Sequence, residues 1–324
     1  MSSLIWKNAS AVLGVVLLAG ACFGQGAGRS VMPELDIPTS ALAAAAGLSA
    51  GGLVEDASAV MENPARLGSA ASSGFAATHV VWVEGLSDSH LDGYLRREGI
   101  GVLGVYLRVF MGDFTGTSET YGGDYMGASG GYSYRTVSAG GAWAPDLGML
   151  REMMGVKELR LGLGMGVVRR EMVRDVDYGA GLMLGAEAGF EEGYSVYARA
   201  LNVGVMTGDP LPFRGGMGVT KRMENVLMPA DRGVVAAEAC LAREDGLGAG
   251  LSLEYVIRWL DMETGVRAGY GFVGSDSASS LPSGGILVRL GSVSIELGFV
   301  SLGDLGVTEV VTLTFQDRGL QGAR

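Results

Sequence analysis

Two histidines, His79 and His90, and two cysteines, Cys22 and Cys240, are the side chains of this 324-residue sequence best suited to acid–base, nucleophilic or metal chemistry. Their spacing organises none of it. Neither histidine has a second histidine or a cysteine at metal-ligand distance along the chain. His79 stands beside Val80, Val81 and Trp82, and His90 lies in a polar segment with Asp88 and Asp92. Cys22 falls in a stretch that reads as removed on export. That leaves Cys240, in a strand-like segment, as a small apolar wall residue. Gly162, Gly164 and Gly166 alternate inside a strand pattern with no helix start and no Lys-Ser/Thr pair after them, so they cradle no phosphate. The residues offer no catalytic group, no metal set and no cofactor site, and the chain reads as a non-enzyme.

The elements that would position any site are legible from periodicity. Residues 1–24 carry one positive charge (Lys7), an apolar run from Ala11 to Leu18 and small residues to Ala21, the pattern of a secretory signal. Residues 26–39 read as an extended lead-in. Residues 40–48 are alanine-rich and suit a short helix capped by Ser40. Asn63-Pro64 marks a turn, because the residue before proline is pushed out of the helical region. From about residue 73 the period becomes two. In residues 158–167, Leu159, Leu161, Leu163, Met165 and Val167 alternate with Arg160, Gly162, Gly164 and Gly166. In residues 292–299, Val293, Ile295, Leu297 and Phe299 alternate with Ser292, Ser294, Glu296 and Gly298. Such alternation is a strand with one apolar face and one polar or very small face.

The same pattern recurs at 73–83, 88–96, 100–110, 125–134, 135–144, 178–190, 194–204, 212–222, 231–242, 249–257, 262–272, 284–291 and 306–315. A closed bacterial barrel takes an even number of strands, so fourteen is the expected count. The weakest division lies at Tyr134 to Thr136, where no turn residue separates two segments. Two interruptions stand out. Residues 111–123 read as a loop. Residues 145–157 place Leu147, Leu150, Met153 and Met154 at helical spacing, and Leu150, Met153 and Met154 form a candidate ligand-contacting face because methionine adapts to varied apolar ligands.

Bulk composition supports this reading. The net charge is -11 with no basic cluster, which argues against nucleic acid as a partner. Hydrophobic residues make up 48%, yet no run of 18 apolar residues follows the N-terminus, which excludes helical membrane spans. Glycine is extreme at 55 residues against only 8 prolines, which suits curved strands and a crowded inner wall. Lysine is scarce on the non-apolar strand faces, unlike a soluble sandwich. The fold class is therefore all-β: a transmembrane antiparallel β-barrel of about 14 strands. Its expected divisions are a signal peptide (1–24), an N-terminal segment (25–72), the barrel (73–315) and a tail (316–324).

Gly47, Ala50, Gly51, Glu55-Asp56, Ala57 and then Asn63-Pro64-Ala65 with Leu67 resemble the N-terminal signature of the FadL superfamily of outer-membrane proteins. The style is nearest to the spirochaete FadL-like proteins. The closing run is also similar: Leu253-Glu254-Tyr255, Arg267-Ala268-Gly269-Tyr270, 292–297, 305–308 and a strand ending at Phe315. The resemblance spans about residues 40 to 315. It implies an outer-membrane channel for small hydrophobic compounds such as long-chain fatty acids, with the N-terminal segment folded inside as a plug that Asn63, Pro64 and Ala65 shape. It implies as partners hydrophobic small molecules or lipids, the outer membrane and the barrel-assembly machinery. The alternative it leaves is a PorV-type component of protein secretion or assembly.

Overall fold

The computed structural model describes residues 32–70, 72–82, 85–115, 131–172, 175–242, 246–274, 279–302 and 306–317. The expected signal and residues 318–324 lie outside the described residues. The strands are β1 (Ser73–Val81), β2 (Ser87–Arg97), β3 (Gly101–Thr115), β4 (Gly131–Ala144), β5 (Glu158–Met172), β6 (Asp175–Gly189), β7 (Tyr194–Met206), β8 (Asp209–Pro210), β9 (Arg214–Glu224), β10 (Asp231–Ala242), β11 (Gly246–Trp259), β12 (Met262–Gly274), β13 (Ser279–Leu290), β14 (Val293–Ser301) and β15 (Val307–Asp317). Fourteen long strands pair antiparallel with their neighbours in sequence, and β1 closes the ring on β15. The two-residue β8 only extends the end of β7. Closure pairs every strand edge, which lipid requires because it supplies no hydrogen bonds.

The period-two pattern sorts the two faces. On β5, Leu161, Leu163, Met165 and Val167 point away from the lumen and are 39% to 61% exposed. On β14, Val293, Ile295, Leu297 and Phe299 do the same, while Ser294 and Glu296 are buried inside. Phe75 and Phe315 stack at 5.6 Å between ring centroids beside the closing seam. An apolar outer band of this extent is a lipid-facing surface. No described helix is long and apolar enough to cross a membrane.

Strand boundaries differ from the sequence reading in two places. Residues 131–144, divided at Tyr134 to Thr136 in the sequence reading, are a single element, β4, and 125–130 lie outside the described residues. Tyr134, Arg135 and Thr136 sit inside its ladder with β5, opposite Met172, Glu171 and Arg170. With no turn residue there, the ladder never breaks, and the merger makes the count fourteen. Of the loop expected at 111–123, residues 111–115 instead continue the pairing of β3 with β4, and 116–123 lie outside the described residues.

Residues 32–70 fill the lumen. They form short turns and helices: Pro33–Asp36, Ala41–Ala45, Gly47–Gly52, Ala59–Glu62 and Pro64–Ser69. Ser40 caps the second, its hydroxyl accepting from the Ala43 amide at 3.1 Å. Leu42, Val54, Val60 and Leu67 pack with inward Tyr94, Val102 and Val234 in one buried cluster.

The wall is bare where this plug touches it. A Cβ on Gly162 would lie 2.1 Å from the Pro64 carbonyl carbon, and one on Gly185 would lie 2.2 Å from Asn63 Oδ1. A Cβ on Gly298 would lie 2.2 Å from the Ala41 oxygen, and one on Gly269 would lie 2.5 Å from that of Ala45. Glycine at these wall positions is a packing requirement.

Gly162→Val is therefore expected to leave the barrel but unseat the turn at Pro64, costing about 1–3 kcal/mol of overpacking. The check is thermal unfolding together with planar-bilayer conductance: a lower midpoint and a larger conductance. Gly93→Val is the control, because a Cβ on Gly93 would meet nothing closer than 3.7 Å. Equal behaviour of the two variants would count against a wall shaped for the plug.

Candidate functional site

The plug is fastened by its own turn. Asn63 is fully buried, and its Nδ2 donates to the Gly51 carbonyl at 2.8 Å. Its Oδ1 accepts from the Ala65 amide at 3.2 Å and caps the turn that Pro64 opens. One side chain thus joins Gly47–Gly52 to Pro64–Ser69. Ala65 is buried beside the Gly185 wall. Next to it, Arg66 donates through Nε to the Val54 carbonyl at 3.0 Å and through Nη1 to Glu187 on β6 at 2.7 Å.

A buried ionic centre lies across the lumen. Arg199 of β7 reaches Glu62 of the plug at 2.8 Å and Glu238 of β10 at 2.9 Å. Tyr197 donates to Glu238 at 2.8 Å, and Thr39 donates to Glu62 at 2.7 Å. Burial pushes the Glu62 carboxyl up, but Arg199 and then Arg214 outweigh it and hold it below the usual range. The Arg214 side chain makes no hydrogen bond or ion pair among the described residues, and it borders two cavities together with Glu62.

The larger cavity has a volume of about 200 Å³. Its floor is plug: Ala43, Ala44 and Leu48. Its walls include Trp82, Cys240, Leu281 and Val300. These wall residues lie at the strand ends remote from Ser73 and Asp317, so the cavity sits at the opposite mouth from the described chain ends. The smaller cavity, of about 40 Å³, lies towards β3, β6 and β7 and includes Tyr106, Met183 and Leu201. Glu62 and Arg214 stand between an apolar chamber and a small polar-edged one.

At the other mouth, Glu55 of the plug meets Arg222 and Arg232 of the wall as well as Arg66. Burial raises the Glu55 carboxyl, but Arg222, Arg232 and Arg66 together hold it at about 2. The plug is thus tied by carboxylates at mid-lumen and at the terminal mouth.

The residues marked in the sequence separate here. Asn63, Pro64 and Ala65 form the plug turn against the β5–β6 wall. Leu150, Met153 and Met154 lie on the helix Gly148–Met154 at the terminal mouth, with Met153 79% exposed, and line neither cavity. His79 faces outward and shares a 3.0 Å hydrogen bond with Ser89. His90 is buried 2.9 Å from Asp88. Gly47-Leu48-Ser49-Ala50-Gly51 has the spacing of a nucleophile elbow, but Ser49 is buried, donates to the Ala46 carbonyl at 2.9 Å and meets Ser252, not a histidine. No group of three or more His, Cys, Asp or Glu is placed to hold a metal among the described residues. Glu62, Arg199, Arg214 and Glu238 were not singled out by sequence. For Arg199, Arg214 and Glu238 the signal available was a charged residue on the inward phase of an alternating strand; Glu62, on the short helix Ala59–Glu62, carried none.

Arg199→Met would strand Glu62 and Glu238 without their counterion, at an expected cost of about 3–5 kcal/mol. Adding Glu62→Gln and Glu238→Gln should restore most of it, as read by thermal unfolding. Glu55 gives a pH dependence. Its folded carboxyl lies at about 2 against an ordinary 4.5, so its anchoring is complete above pH 4.5 and is lost as pH falls towards 2. Conductance is expected to stay level from neutral pH to about 4.5 and to rise below it. Glu55→Gln should remove that step.

No protein-family model matches the chain, and no curated protein matches it by sequence. Solved structures do match. The Ralstonia pickettii toluene transporter TbuX superposes with a TM-score of 0.56 at 11% identity, covering 84% of this chain and 97% of its own. The Pseudomonas putida toluene transporter TodX gives 0.57 at 11%, covering 85% and 96%. A Pseudomonas aeruginosa FadL homologue gives 0.51 at 10%, covering 87% and 98%. The chain shares the fold of these solved structures, two of them named as toluene transporters and one as a FadL homologue.

Proposed function

We propose that this chain is an outer-membrane channel that admits small hydrophobic compounds, with a binding chamber sized for about one aromatic ring. The observation that carries the proposal is the apolar cavity of about 200 Å³ at one mouth, floored by the plug. An apolar cavity of about 150 Å³ takes benzene, so this volume suits a toluene-sized body. A long-chain fatty acid exceeds it. Two solved neighbours are named for toluene, and a third is a monoaromatic hydrocarbon channel, which agrees with the volume. The neighbours are named as transporters and channels, in keeping with a non-enzyme. Arg214 supports a second ligand class. A guanidinium without an ion pair among the described residues, at the edge of an apolar chamber, suits a ring-sized acid such as benzoate.

The test is native mass spectrometry of the detergent-purified barrel after exposure to toluene, benzoate and palmitate. Stoichiometric retention of toluene or benzoate, lost in Cys240→Phe while the barrel stays folded, is the expected result. Retention of palmitate alone, or of nothing, would overturn the ring-sized reading. Arg214→Leu should abolish benzoate retention and leave toluene.

A further inference from the structure

Asp92 is the buried charge that the plug-fastening contacts leave over. It points into the lumen from β2, is 1% exposed, and neither of its carboxylate oxygens has a hydrogen-bond partner among the described residues. Leaving an ionised carboxylate in this state is costly. Its neighbours do not neutralise it. Arg108, on β3, is committed to Asp88 at 2.8 Å and to the Glu34 carbonyl. His90, two residues along the same face, lies against Asp88.

A second carboxylate approaches from the plug. In the sheet register, Asp92 lies opposite Ala76 of β1, and Ala76 lies opposite Thr314 of β15. Ala76 is small and fully buried, so no side chain of the row itself stands between the two polar residues. Asp56 of the plug stands over Thr314, whose hydroxyl donates to Asp56 Oδ2 at 3.4 Å. The other Asp56 oxygen is held by the Ser58 amide at 2.9 Å. Two carboxylates, one from the wall and one from the plug, therefore approach the same row of the sheet, with the Thr314 hydroxyl on the Asp56 side.

We propose that Asp92 and Asp56 form a site for a hard divalent cation that pins the plug to the β1–β2–β15 wall. Two negative charges match one doubly charged ion, and carboxylate, hydroxyl and water oxygens are the ligands that Ca²⁺ takes. The ion bridges plug and wall, as Glu62–Arg199 does with opposite charges elsewhere in the lumen. This inference stands apart from the ligand chamber, which uses neither residue.

The fold supplies a spectroscopic readout, because Tyr106 lies opposite Asp92 in the β2–β3 register. The full chain, purified in detergent and stripped with a chelator, is titrated with Tb³⁺ under tyrosine excitation and then with Ca²⁺. Sensitised emission that Ca²⁺ displaces is expected. Asp92→Asn should weaken Tb³⁺ binding by about tenfold or more through loss of a ligand charge. Asp56→Asn, which leaves the barrel wall untouched, should weaken it as well and carries the test if the wall variant does not fold. Asp177→Asn, on β6, should leave the signal unchanged. Absence of displaceable emission in the wild type, or equal emission in both site variants, would overturn the proposal in favour of a proton shared by the two carboxylates. Toluene retention, measured on the same samples, reports separately on the channel.

Discussion

The structure rests on the space inside fourteen strands. Strand number fixes the bore of a barrel, and here the bore must hold residues 32–70 as well as the inward side chains of the wall. The chain meets this limit by subtraction. Where plug backbone passes the wall, the wall has no side chain, as at Gly162, Gly185, Gly269 and Gly298. Where the plug passes at greater distance, the wall supplies an arginine or a carboxylate long enough to reach it, as at Arg199, Glu187 and Arg222. Glycine and charge are two settings of one variable, the gap between plug and sheet.

Water exclusion then decides the polar chemistry. A lumen packed to near-zero exposure cannot leave charges to solvent. Glu62, Arg199 and Glu238 answer this as a triad, with Tyr197 and Thr39 taking further oxygen valences. Glu55 answers it with three arginines at a mouth where solvent still reaches. The apolar chamber lies beyond the mid-lumen tie, at the mouth opposite Glu55, so its floor is only as rigid as the ties that hold the plug.

Much of the fold was legible, because the period of two is set by backbone geometry and survives any change of partner. The strands at 231–242, 262–272 and 292–299 could be read almost residue by residue. The break expected near Tyr134 was an artefact of reading length alone, since no turn residue stood there. The site was less legible. Asn63 and Pro64 announce a turn by local chemistry, but nothing local says that Gly162 and Gly185 lie beneath it. Glu62 and Arg199 are 137 positions apart, and only the closed register brings them together. Leu150, Met153 and Met154 do form a helix, as their spacing indicated. Spacing carries no information on which mouth a turn occupies, and theirs is the mouth away from the chamber.

The seam between β1 and β15 joins the strand that directly follows the plug to the last strand of the barrel. That last strand also holds the plug: Thr312 accepts from the Ala41 amide at 2.9 Å, and Gln316 donates to the Glu55 carbonyl at 3.0 Å. The final strand is therefore latch and keystone in one. Until it is in place the ring is open and the plug lacks these tethers. Once it is in place, the side wall around the plug is continuous and both tethers are made. The contacts that close the ring and two of those that hold the plug thus belong to one strand.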